Sequence, residues 1–131
     1  MHGLRLNQVT LGAIDMAASV LFYTRLGLTL IVDTAPRYVR FEFPAVPGAG
    51  EPATLSLHRV DADWSAPADW PLIYFEVDDL AAYLDATKLI PPAAPEMKSY
   101  AWNEADILDP SGNRLRLYTA GKARRFPDWR I

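Results

Sequence analysis

Short stretches of alternating polar and apolar residues, interrupted twice by helical spacing, set the order of elements along this chain. Between Leu6 and Ala13, Val9, Leu11 and Ala13 fall on one face while Gln8, Thr10 and Gly12 fall on the other, the period of a strand. Residues 16–26, MAASVLFYTRL, change to helical spacing, with Met16, Val20 and Tyr23 on one stripe. Asp15 stands at the N-cap position, where a carboxylate accepts the free amides of the first turn, and Gly27 supplies the stop. LTLIVD predicts a second strand. RYVRFEF predicts a third, with Val39, Phe41 and Phe43 opposite Tyr38, Arg40 and Glu42. PAVPGAGEP is a loop by its Pro and Gly content, and ATLSLHRV is a fourth strand. After a connector at 61–70, PLIYFEV predicts a strand and Asp78 or Asp79 caps a helix LAAYLDATKL. IPPAAPE forms a turn, SYAWNEADIL is extended, DPSGN is a tight turn, and RLRLYT is the last strand.

The pattern repeats. QVTLGAIDMAASVL from Gln8 realigns 64 residues later with LIYFEVDDLAAYL from Leu72, and ATLSLHRV from Ala53 matches NRLRLYTA from Asn113 at an offset of 60. Two related modules, about 5–60 and about 71–120, predict a pseudo-symmetric single domain spanning 1–131, with a tail at 121–131 and a site where the halves meet.

Composition changes this picture little but excludes several classes. Half the residues are apolar and 22% charged, as in a soluble globular domain. A net charge of −3 gives no basic stripe for nucleic acid, and no apolar run approaches the roughly 20 residues that span a bilayer. The N-terminus lacks a signal peptide's apolar centre, so a cytoplasmic protein is expected. With no cysteine there is no disulfide framework, thiolate nucleophile or cysteine metal site.

Three segments together resemble the vicinal oxygen chelate superfamily of glyoxalases, bleomycin-resistance proteins and extradiol dioxygenases: DMAASVLFYTRLGL at 15–28, FEVDDL at 75–80 and DPSGNRLRL at 109–117. The resemblance runs from Leu6 to about Thr119. It implies an α+β fold in which each βαβββ module forms a curved sheet and the two make an open cup. The cup would be lined by Gln8, Thr10, Tyr38, Arg40, Glu42, Thr54, Ser56, His58, Leu72, Tyr74, Glu76, Trp102, Glu104, Asp106, Arg114, Arg116 and Tyr118, with Arg40 and Glu42 also reading as ordinary charge on an outer strand. Without the family, these polar faces read as solvated sheet surface.

Metal-dependent members draw four ligands from symmetric strand positions, which carry over here to Gln8, Ser56, Leu72 and Arg116. A divalent ion wants imidazole or carboxylate ligands, and Leu72 and Arg116 supply neither. No metal and no cofactor are therefore expected, a divalent ion being the alternative. Arg116 has two readings. It anchors an oxyanion-bearing ligand with help from Gln8 and Ser56, or it forms an internal ion pair with Glu104 or Asp106. His58 and Glu104 are candidates for catalysis, His58 also reading as a hydrogen-bonded rim histidine. Tyr38, Tyr74, Trp102 and Tyr118 offer flat faces to an aromatic ligand, or simply pack. The functional expectation is a metal-independent protein binding a small anionic or aromatic molecule. The alternative is a divalent-metal-dependent lyase, isomerase or dioxygenase of the glyoxalase type. The resemblance also implies a homodimer, with Phe126 and Trp129 of the tail as candidates for its interface or for closing the cup.

Overall fold

The structure is a computed structural model and describes residues 2–126, without the side chains of residues 122 and 123. The chain divides into two compact units. The first runs to Ala66 and includes the turn Pro110–Asn113; the second holds Pro67–Asp109 and continues from Arg114.

In the first unit, β1 (Gln8–Ala13), α1 (Met16–Leu26), β2 (Thr29–Thr34), β3 (Tyr38–Glu42) and β4 (Thr54–Arg59) give a sheet ordered β1-β4-β3-β2. β1 runs parallel to β4 and the other pairs are antiparallel. Asp15 caps α1 by accepting the Ala18 amide at 3.0 Å. Gly27 ends the helix at φ 109°, a conformation that costs glycine nothing. Tyr23, Val39, Phe41, Leu55 and Leu57 are fully buried, and the Tyr23 and Phe41 rings meet at 5.9 Å. Each such side chain contributes about 1.5–3 kcal/mol by leaving water.

The second unit repeats the topology. β5 (Ile73–Glu76), α2 (Leu80–Thr87), β6 (Glu96–Met97), β7 (Asn103–Leu108) and β8 (Arg114–Thr119) form a sheet ordered β5-β8-β7-β6. Of the two aspartates before α2, Asp79 is the cap, accepting the Ala82 amide at 3.1 Å. It stands 64 residues after Asp15, the offset of the sequence repeat. Leu80, Ala105, Ile107, Leu115 and Leu117 form the core of this unit. A short 3-10 turn, Gly121–Arg124, follows β8. Among the described residues no helix is long and apolar enough to cross a membrane.

Beyond shifts of one or two residues at the ends of elements, three differences from the sequence reading bear on the second unit. Leu72 precedes β5 rather than lying in it. Glu96, read as the end of a turn, opens the two-residue strand β6. The run SYAWNEADIL is broken by a tight turn in which the Ala101 amide donates to the Lys98 carbonyl, so Trp102 stands just before β7. Ala101 takes φ 67° there, and an alanine gives no turn signal in sequence.

Candidate functional site

The face of the first sheet opposite its core carries Gln8 and Thr10 from β1, Tyr38 and Arg40 from β3, and Ser56 and His58 from β4. Pairing sets these contacts: Thr10 lies beside Ser56, Arg40 opposite Ser56, and Tyr38 opposite His58. The Thr10 and Ser56 hydroxyls share a hydrogen bond of 2.7 Å, and Ser56 is fully buried. Thr54 donates to Gln8 Oε1 at 2.9 Å. Arg40 Nε donates to the Tyr38 hydroxyl at 2.9 Å, and the His58 ring meets Tyr38 edge-on at 5.3 Å. Burial pushes the Tyr38 phenol up, but hydrogen bonds from Ser56, Arg40 and Gln8, with the Arg40 charge, outweigh it and hold the phenol below its ordinary value. Arg40, whose same-face spacing from Tyr38 put it among the expected cup-lining residues, is part of this cluster.

The corresponding face of the second sheet is charged and aromatic. Arg116 on β8 lies opposite Asp106 on β7. Its Nε donates to Asp106 Oδ1 at 2.6 Å and its Nη2 to Oδ2 at 3.1 Å. Nη1 reaches Glu104 Oε1 at 3.2 Å and the Tyr74 hydroxyl at 3.3 Å. Arg114 also holds Asp106 Oδ2, at 2.7 Å. Of the two readings of Arg116, the internal ion pair is the arrangement observed, and with both Glu104 and Asp106. Hydrogen bonding from Arg116 leads in keeping the Asp106 carboxyl below its ordinary value, and Asp106 in turn raises Arg116.

Glu104 is only 4% exposed, and its Oε2 is buried without a hydrogen bond. A buried charged acceptor left in this state costs more than the about 1–3 kcal/mol typical of a neutral group. Around it, Trp102 stacks on Tyr118 at 4.3 Å and 11°, while Tyr74 and Tyr100 meet Trp102 edge-on at 5.9 and 5.8 Å. Burial first, then the neighbouring Glu104 carboxylate, pushes the Tyr100 phenol up to about 12. Beside this cluster lies a cavity of about 250 Å³, bounded by Pro92, Ala93 and Ala94 and by Glu96, Lys98, Glu104, Ala105, Asp106 and Arg116. Sequence reasoning missed Tyr100, Lys98 and the 92–94 wall, because a proline-rich turn and a hairpin carry no period that points to a cavity.

A model of the Glyoxalase/Bleomycin resistance protein/Dioxygenase superfamily matches residues 5–117, and the chain belongs to that superfamily. Solved structures of similar fold include the bleomycin resistance determinant encoded on transposon Tn5, at 21% identity and TM-score 0.68 over 90% of this chain and 99% of that one. A bleomycin-binding protein complexed with bleomycin is similar at 23% identity and TM-score 0.63 over 89% of this chain and 98% of that one. Lactoylglutathione lyase from Agrobacterium tumefaciens is similar at 21% identity and TM-score 0.66 over 93% and 97%. No curated protein matched the sequence.

The positions at which metal-dependent relatives place ligands do not fit a divalent ion here. In the first unit Gln8 offers a neutral carbonyl already accepting from Thr54, and Ser56 a hydroxyl already paired with Thr10. In the second, Leu72 has no donor atom and Arg116 is a cation. Among the described residues, no group of three His, Asp or Glu side chains is placed to hold a metal.

Proposed function

We propose that this chain is a metal-independent binding protein for a small planar organic molecule, held on the aromatic face of the second sheet without turnover. The observation that carries this reading is the replacement of a metal-ligand position by Arg116, locked into carboxylates beside the stacked Trp102–Tyr118 pair. A guanidinium there repels a divalent ion, while flat aromatic faces beside a cavity suit a planar ligand. The anionic ligand expected of a free Arg116 is less favoured, because a ligand carboxylate must compete with Asp106 and Glu104.

Two measurements test the reading. After incubation with Mn, Fe(II), Co, Ni and Zn and desalting, elemental mass spectrometry is expected to find far less than one metal per chain. Saturation-transfer NMR with one- and two-ring aromatics is expected to show contacts that Trp102→Ala reduces severalfold. Near-stoichiometric retention of one metal sinks the proposal and favours the glyoxalase-type lyase, isomerase or dioxygenase.

A further inference from the structure

The cations lining the cavity of the second unit are already engaged. Lys98 pairs with Glu96 at 3.1 Å, and Arg116 gives two of its donors to Asp106. Both Asp106 oxygens are occupied, since Arg114 joins Arg116 on them. Glu104 is held by Arg116 on Oε1 and by a hydrogen bond with the Tyr100 hydroxyl, while its Oε2 has no partner within hydrogen-bond distance. Native interiors rarely leave a buried carboxylate oxygen in that state, so this oxygen is a candidate acceptor for a donor that enters the cavity.

We propose that the cavity receives a protonated nitrogen, an amidinium or ammonium head on a small aromatic molecule, and that Glu104 Oε2 is the acceptor this head completes. The inference deepens the proposed function and rests on it, naming the ligand's chemistry and the residue that selects it. A charged donor is favoured over a neutral one because charge-assisted hydrogen bonds to carboxylate are roughly twice as strong. An aromatic body is favoured because the Tyr100–Trp102–Tyr118 ring series adjoins the same carboxylate: Glu104 is the cross-strand partner of Tyr118. Pro92, Ala93 and Ala94 form a small apolar wall against which a ring's edge can pack. Because Oε2 has almost no accessible surface, the head reaches it by displacing Tyr100, whose hydroxyl neighbours the Glu104 carboxylate. Tyr100 belongs to the turn closed by Ala101, so its movement leaves the β7–β8 ladder intact.

Three compounds of one shape and different charge test this by isothermal titration calorimetry on the full chain: benzamidine, benzamide and benzoate. Benzamidine is expected to bind at least tenfold more tightly than benzamide, with benzoate the weakest. Glu104→Gln, which keeps the shape and removes the charge, is expected to bring benzamidine down to the benzamide affinity, with an unchanged circular dichroism spectrum confirming the fold. Glu104→Asp, which keeps the charge, is expected to retain part of the preference. Equal binding of benzamidine by the wild type and Glu104→Gln overturns the role of Glu104. If benzamide or benzoate binds as well as benzamidine, aromatic binding survives but the cation preference is wrong. If none of the three binds, the inference and the proposed function fail together.

Discussion

Two tyrosines on the polar faces are held at opposite ends of the phenol range by their neighbours. Arg40 and the hydroxyl and amide donors around Tyr38 favour its anion, whereas burial and the Glu104 carboxylate oppose that of Tyr100. The consequences for stability have opposite signs. Tyr38, depressed in the folded state, contributes stability that is present above its unfolded value and is lost as pH falls through the folded value. Tyr100, raised to about 12, contributes stability present below its unfolded value near 10, lost as pH rises from there through about 12. Titration of tyrosinate absorbance among the six tyrosines is expected to show one ionising early, absent in Tyr38→Phe, and a late group in which Tyr83 and Tyr118 are also raised by burial and whose last member is absent in Tyr100→Phe. An early phase that persists in Tyr38→Phe would place the depressed phenol elsewhere. At this scale the sequence was half legible. Same-face alternation put Arg116, Asp106 and Glu104 together, but whether Arg116 stood free or paired depended on side-chain reach across the β7–β8 ladder.

Among the elements, the helices were the most legible, because capping is a local interaction between residues three apart. Asp15 and Asp79 each accept an amide of the first helical turn, and both α1 and the start of α2 stand where spacing and caps put them. Asp15→Ala and Asp79→Ala are each expected to lower stability by about 0.5–2 kcal/mol, read from urea unfolding midpoints with an unchanged slope. A loss under about 0.2 kcal/mol in both would show that the caps contribute nothing. The turn Pro110–Asn113 was read correctly as tight, yet its tertiary contacts were invisible. Asn113 donates to the Gly12 carbonyl at 2.8 Å and the Ser111 hydroxyl accepts the Ile14 amide at 2.8 Å, about a hundred residues away in sequence. The break at Ala101 was hidden for a local reason, since an alanine at φ 67° gives no turn signal, and the cavity wall at 92–94 because a proline-rich turn carries no period that points to a cavity.

For the whole molecule, the repeat seen in sequence becomes two sheets of identical strand order, β1-β4-β3-β2 and β5-β8-β7-β6. This duplication accounts for the family match and for the similarity to bleomycin-binding and lyase structures alike. Identity near 20% to such different proteins carries the fold and leaves the chemistry to particular side chains. The homodimer implied by the resemblance stands as a proposal. Sedimentation equilibrium is expected to give twice the 14.6 kDa chain mass, and a single-chain mass at all concentrations would remove it. Of the two tail aromatics proposed for an interface, Phe126 is more than half exposed, and Trp129 lies outside the described residues. By itself, then, the sequence determined element order, the caps, the doubled α+β architecture and the unsuitability of Leu72 and Arg116 as metal ligands. These follow from local periodicity, first-turn hydrogen bonding and the identity of donor atoms. Only the tertiary structure decided that Arg116 is spent on Asp106 and Glu104, that Glu104 keeps a buried acceptor without a donor, and that a cavity lies beside it. Those features depend on which side chains of distant strands come within hydrogen-bond distance, and a period-two pattern assigns a face without assigning a partner.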